Sequence, residues 1–364
     1  MRHYLTLALS AVMFIYSPSV LQAYDASVFQ GEARDAKLSD LYPRSDAADE
    51  TYYSEEYAFT TEMEGKAKLE LQFGFSNVLG DKGSAFVNVA WKVEGYKSER
   101  VRVTLPKDKW SFTKAPFAIK MDRVTFSGDM EELKLVAEGK RTSLEIGFYP
   151  LVPGFVPGSG RIQLGKEGFV DINVWPMLAI RAKVVDKKSK TGHHVNGWAI
   201  LSHSTTTLPP QSQPGKWVQF RAKDPKKMLL AQVVQLPESY GGTYHGWFVA
   251  YENRKQVGRS ATLKVTPVTN GTYGGKSIPV AFVLEDSEQK LAVGLKATKF
   301  KRVSDQLKKL PKIQRAIVAK YISPVSYQFD GEVEVQVSVG DYFALLPKVK
   351  STKYKGFMKV DTIR

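Results

Sequence analysis

Lys68-Leu69-Glu70-Leu71-Gln72-Phe73-Gly74-Phe75 sets large apolar side chains at every second position. A period of two sends alternate side chains to opposite sides of an extended chain, so the stretch reads as a strand with one buried face. The same spacing recurs in both directions: Val87, Val89, Trp91 and Val93; Val101, Val103 and Leu105; Leu144, Ile146 and Phe148; Val170, Ile172 and Val174; Val333, Val335, Val337 and Val339. Turn signals such as Gly80-Asp81-Lys82-Gly83, Gly241-Gly242, Asn270-Gly271 and Gly274-Gly275 punctuate these runs, which is the pattern of an all-β sandwich or barrel. One segment departs from it. After Ser304 as N-cap, Leu307, Leu310, Ile313, Ile317, Val318 and Tyr321 follow a helical stripe, kinked at Pro311 and stopped at Pro324. With Lys308, Lys309, Lys312, Arg315 and Lys320 around that stripe, the sequence predicts a basic amphipathic helix, packed on a barrel or lying on an anionic membrane.

The 364 residues suit two domains. The polar run Lys187-Lys188-Ser189-Lys190-Thr191-Gly192 suggests a boundary between a first domain at 51–185 and a second at 193–364, behind a loose acidic arm at 24–50. Residues 1–23 have the layout of a secretory signal: Arg2 and His3, an apolar run from Tyr4 to Tyr16, Pro18, then Leu21-Gln22-Ala23. Cleavage after Ala23 would deliver a periplasmic or secreted product. The chain has no cysteine, which removes disulfide scaffolds, thiolate metal sites and cysteine nucleophiles. Charge is unevenly placed: residues 1–182 hold 22 Lys+Arg and 24 Asp+Glu, while residues 183–364 hold 30 and 13, a net of +17. Such a field recruits polyanions, and export favours lipid headgroups over nucleic acid.

Hydrolase, kinase and dehydrogenase motifs are missing from the sequence, and no metal or cofactor site is expected from it. His193 and His194 are adjacent on an extended chain, point to opposite faces and make a poor chelating pair. His203 and His245 lie among aromatics, the first after Trp198 and before Trp217, the second between Tyr240 and Trp247. Each could meet a ligand's polar group or act as an acid–base catalyst, or each could satisfy a buried backbone group. Trp198, His203, Trp217, Tyr240, His245 and Trp247 are the candidate ligand-binding residues. The Pro- and Gly-rich apolar stretch 148–158 reads as a lip over a binding site or as an interdomain connection wedged into the core.

Gly197 through Phe220, with His203 six residues after the glycine and Trp217 behind it, resembles the opening of the second domain in the lipocalin-like superfamily. That superfamily contains the AttH proteins, the carotenoid 1,2-hydratases (hydroxyneurosporene synthases) and the survival-factor proteins. Gln235-Leu236-Pro237-Glu238-Ser239-Tyr240-Gly241, Glu50-Thr51-Tyr52-Tyr53 and Phe75-Ser76-Asn77-Val78 are similar to further stretches of it. The resemblance implies two calycin-like antiparallel β-barrels packed together, with a hydrophobic molecule held in a barrel or at their junction. The carotenoid-hydratase branch carries an acidic residue near the histidine corresponding to His203; here no carboxylate lies from Gly197 through Gln219. Protonating an alkene needs a positioned acid. The expected function is therefore an exported carrier for a lipid or isoprenoid, touching an anionic membrane through its basic half and not binding nucleic acid. An isoprenoid hydratase, isomerase or cyclase is the first alternative, and a module binding a polyanionic glycan the second.

Overall fold

The computed structural model describes residues 25–44, 48–78, 82–222, 224, 226–286, 291–305, 324–339 and 348–362. They form two antiparallel β-barrels, one nearly closed and one closed. The first is a curled sheet whose chain order across the ladder is Glu99–Leu105, Ser84–Lys92, Lys68–Ser76, Ser54–Met63, Gly192–Thr206, Gly168–Asp186, Thr142–Pro150, Leu133–Glu138, Val124–Gly128, Phe117–Met121 and Trp110–Lys114. Its two edge strands are consecutive in sequence, and the seam is bridged by side chains. Trp110 lies 4.1 Å from Phe75, centroid to centroid, and its indole N–H donates to the Gly83 carbonyl at 2.8 Å.

The second barrel runs in simple chain order through Lys216–Ala222, Lys227–Gln235, Tyr244–Glu252, Lys255–Tyr273, Lys276–Asp286, Leu291–Asp305, Val325–Val339 and Lys348–Thr362. The last strand pairs with the first from Lys216–Thr362 to Ala222–Gly356, which leaves no open edge. Alternation does the work the sequence suggests. Val218, Phe220, Leu229, Ala231, Phe248 and Ala250 face inward, while Trp217, Leu230, Val234, Trp247 and Val249 face the first barrel. Both interiors are packed clusters of apolar side chains, and a third cluster joins the barrels.

One strand serves two of these cores. In Gly168–Asp186, Val170, Ile172 and Val174 pack between the barrels, yet Leu178, Ile180, Ala182 and Val184 fill the first barrel. An even-numbered set changes sides because the ladder slips by one residue between Trp175–Leu201 and Leu178–Ala199. Pro176 sits in that bulge, where its missing N–H costs no ladder bond.

Three expectations need correction. Residues 187–191 form the turn between Gly168–Asp186 and Gly192–Thr206, both of the first sheet, so the passage to the second barrel falls between Thr206 and Lys216. The acidic arm is not loose where it is described: Phe29 and Leu41 are buried, and Arg34 pairs with Asp40 at 2.8 Å. Ser304, taken as a helix N-cap, is extended within Leu291–Asp305, and the rest of the expected helix, with Lys308, Lys309, Lys312, Arg315 and Lys320, lies outside the described residues. The expected signal at 1–23 lies outside them as well. Among the described residues, no helix is long and apolar enough to cross a membrane.

Candidate functional site

The paired strands Ser54–Met63 and Gly192–Thr206 present two polar surfaces, one on each face of the sheet. Inward, at the mouth of the first barrel, Glu55 and His203 are both buried and lie 2.7 Å apart, Oε1 to Nε2. Glu55 also accepts from the Tyr53 hydroxyl at 2.5 Å and the Arg44 backbone N–H at 2.9 Å, and the Tyr57 hydroxyl oxygen lies 2.9 Å from its Oε1. The other histidine nitrogen meets the Asp40 carbonyl at 2.6 Å. A carbonyl only accepts, so Nδ1 carries a hydrogen. Burial first, and the neighbouring Glu55 second, hold the Tyr57 phenol well above its ordinary pKa, and its ring stacks on that of His203 at 4.3 Å.

The N-terminal segment closes this network. Besides the Asp40 carbonyl, which also accepts from Asn173 Nδ2 at 3.1 Å, the Leu41 carbonyl accepts from Tyr57 at 2.7 Å. Arg44 pairs with Asp171, which Arg161 grips through two contacts of 2.7 and 2.8 Å while lying 3.8 Å from the Phe169 ring centroid. Every oxygen and nitrogen of the Glu55–His203 pair has a partner. The acid that the sequence around His203 lacks is thus supplied 148 residues earlier in the chain, in a setting sealed by aromatic rings.

On the outward face of the same strands lies a cavity of about 410 Å³ between the barrels. Its apolar wall combines Val170, Ile172, Val174 and Ile200 of the first barrel with Trp217, Leu230 and Trp247 of the second. Its polar wall is Ser54, Glu56, Thr60, Ser202 and Ser204 on one side and Gln219, Arg221 and Gln232 on the other. Gly74 makes room here: paired opposite Glu56, it would carry a Cβ only 1.9 Å from the Glu55 carbonyl oxygen. Glu56 accepts from the Gln72 side-chain amide. Removal from water raises its carboxyl above the ordinary range, against the opposing effects of Gln72 and of Lys359.

The cavity wall also holds unmet hydrogen-bonding capacity. Among the described residues, Gln232 Oε1, Trp247 Nε1 and Arg221 Nη1 are buried without a partner, and all three residues belong to this wall. Buried polar groups are rarely left so, and three of the six such side-chain atoms among the described residues belong to this wall. Burial also works against the charge of Arg221, whose nearest carboxylate is Glu62 at 3.4 Å.

The six candidate residues separate. Trp217 and Trp247 line the cavity. Trp198 stands beside Arg221, whose guanidinium carbon is 5.8 Å from its ring centroid. Tyr240 is buried and donates to the Leu164 carbonyl at 3.1 Å, tying the barrels together. His203 points into the first barrel. His245 borders a separate groove beside Phe29, hydrogen-bonded to Thr243 at 2.9 Å, and burial lowers its pKa. Stretch 148–158 contributes Val152 and Phe155 to the interdomain core and lines a further open groove with residues 35–38. No group of three His, Cys, Asp or Glu able to hold a metal occurs among the described residues.

Sequence reasoning missed Glu55 and Glu56 as site residues. Phase could have found the first, since Glu55 interrupts the inward series Tyr53, Tyr57 and Phe59. Gln232 likewise interrupts the apolar run from Met228 to Val234.

No family model matches the chain, and no curated protein matches it in sequence. Solved structures resemble it in fold. CghA is 12% identical, covers 93% of this chain and 96% of its own, and superposes with a TM-score of 0.53; its complex with Sch210972 gives 0.52 at 11% identity. An AttH-like protein from Nitrosomonas europaea gives 0.49 at 12% identity over 90% of this chain and 97% of its own. Kievitone hydratase from Nectria haematococca gives 0.43 at 12% identity over 90% and 92%. At such identities the likeness concerns the fold alone, two antiparallel β-barrels packed together.

Proposed function

We propose that this protein binds an apolar small molecule bearing a few polar groups, held between its two barrels. The observation that carries the reading is the cavity itself, whose volume suits one organic ligand and whose apolar wall is interrupted by unpartnered Gln232, Trp247 and Arg221 atoms. CghA, which shares the fold, has been solved with Sch210972, so the architecture accommodates an organic molecule. A lipid or isoprenoid is the ligand class this reading favours, and the packing of both barrel interiors supports the junction as its place. Native mass spectrometry of gently purified protein, before and after exposure to a lipid extract, tests the reading. A retained small molecule is expected, lost in Ser204→Trp, which fills the cavity from its polar wall; a chain that stays ligand-free throughout would overturn it.

A second reading, catalysis, is favoured by Glu56. A carboxyl that holds its proton more tightly than usual, opposite an apolar wall, can give that proton to an alkene, after which water adds to the cation and returns a proton to the carboxylate. This reading predicts deuterium uptake from D2O into a bound polyene, abolished in Glu56→Gln with binding retained. It moves the acid away from His203 and His245, neither of which lines the cavity.

A further inference from the structure

The second barrel does not end evenly. The ladder between Lys276–Asp286 and Leu291–Asp305 stops at the Ala281–Lys296 pair. The hairpin made with Lys255–Tyr273 nevertheless continues to the Tyr273–Lys276 pair. Strand Leu291–Asp305 likewise runs on beside Val325–Val339 as far as the Asp305–Val325 pair. Two ribbons therefore extend past the point where their shared ladder ends. Rings bridge the split: Tyr273 lies 4.9 Å from Phe300 and 5.0 Å from Phe329, and Phe300 lies 5.6 Å from Phe329.

This rim mixes apolar and basic side chains in water. Val268, Val303 and Phe300 are 60%, 48% and 39% exposed. Residues 296–303 add Lys296, Lys299, Lys301 and Arg302, all exposed, and no carboxylate. The facing strand supplies Asp330, which pairs with Lys301 at 2.8 Å, Gln328, a neutral acceptor for Arg302, and Glu332, opposite Lys296 in the ladder and 4.0 Å from Lys355. Two register shifts in this short stretch, between Ala297 and Lys299 and between Phe300 and Arg302, mark bulges that twist the strand away from further pairing.

We propose that this split rim docks the protein on an anionic lipid bilayer. Charge complementarity selects the occupant: residues 183–364 carry a net +17, and the rim places four of those cations beside exposed apolar side chains. At a membrane surface apolar groups enter the acyl boundary while cations meet phosphates, each cation contributing about 1 kcal/mol, or fivefold in affinity. A soluble polyanion would use the lysines and leave Val268, Phe300 and Val303 in water. The inference does not depend on what the cavity binds.

Co-sedimentation with vesicles tests it, using phosphatidylglycerol–phosphatidylcholine mixtures against phosphatidylcholine alone. Binding is expected to the anionic vesicles only. Lys296→Gln/Lys299→Gln/Arg302→Gln should weaken it about 100-fold with the wild-type unfolding midpoint, and Phe300→Ser/Val303→Ser about tenfold. If the triple variant does not fold, Lys299→Gln alone should show about a fivefold loss. Absence of binding to anionic vesicles, equal binding to neutral ones, or binding indifferent to the Phe300 and Val303 changes would each overturn the proposal.

Discussion

Glu55 and Glu56 are neighbours on one strand and opposites in environment. Glu55 faces the first barrel, receives hydrogen bonds from Arg44 and Tyr53, and lies within hydrogen-bond distance of Tyr57 and His203. Glu56 faces the cavity and receives one side-chain amide, from Gln72. Burial alone does not separate them. Saturation does: a carboxyl whose lone pairs are all engaged is a structural fastener, whereas one that has lost water without gaining enough donors holds its proton more tightly than usual.

Glu55→Ala, the harshest break of this contrast, strands the Tyr53 phenol, an imidazole and a backbone N–H at once. Urea unfolding should show a loss of about 3–5 kcal/mol. Glu55→Gln keeps the shape and exchanges two acceptors for one acceptor and one donor, costing about 1–3 kcal/mol. Adding His203→Ala to it should cost less than the two single losses combined, because the second change removes a group the first has already orphaned.

Glu56→Gln sharpens the contrast from the other side. Its carboxyl is raised in the folded chain, so the folded state binds more protons than the unfolded one above the ordinary carboxylate range. Wild-type stability contributed here is full below about pH 4 and falls as pH rises through the folded value. Denaturant midpoints measured from pH 4 to 8 should be flatter in the variant, with a difference of about 1 kcal/mol or less near pH 5.

His245 gives the smallest effect and the opposite slope. Burial lowers its pKa, so its contribution is full above about pH 6.5 and is lost as pH falls through the folded value. His245→Gln should remove that dependence and change stability at neutral pH by about 0.5 kcal/mol. Its binding of the cavity's ligand should equal the wild type's.

Strands and fold class were legible because alternation is local: Leu69, Leu71, Phe73 and Phe75 declare their face without reference to the rest of the chain. Sheet membership was not. Nothing within Gly192–Thr206 states that it pairs with Ser54–Met63, and a lysine-rich turn looks the same whether it links domains or closes a hairpin. The cavity was legible only in part, through Trp217 and Trp247, since its other wall depends on that long-range pairing. Glu55 shows the same limit more sharply, for its partner His203 is read as lacking an acid until the sheet brings the two together.

The slip at Pro176 has a consequence for how this protein can change. Upstream of it, the even-numbered Val170, Ile172 and Val174 belong to the cavity wall; downstream, the even-numbered Leu178, Ile180, Ala182 and Val184 belong to the first barrel's core. Substitutions of one parity therefore reshape the cavity only upstream of the slip, and the same parity disturbs the barrel beyond it. Deleting Pro176 would straighten the ladder and leave both sets on their faces, whereas a one-residue deletion elsewhere in the strand would exchange wall and foundation beyond it.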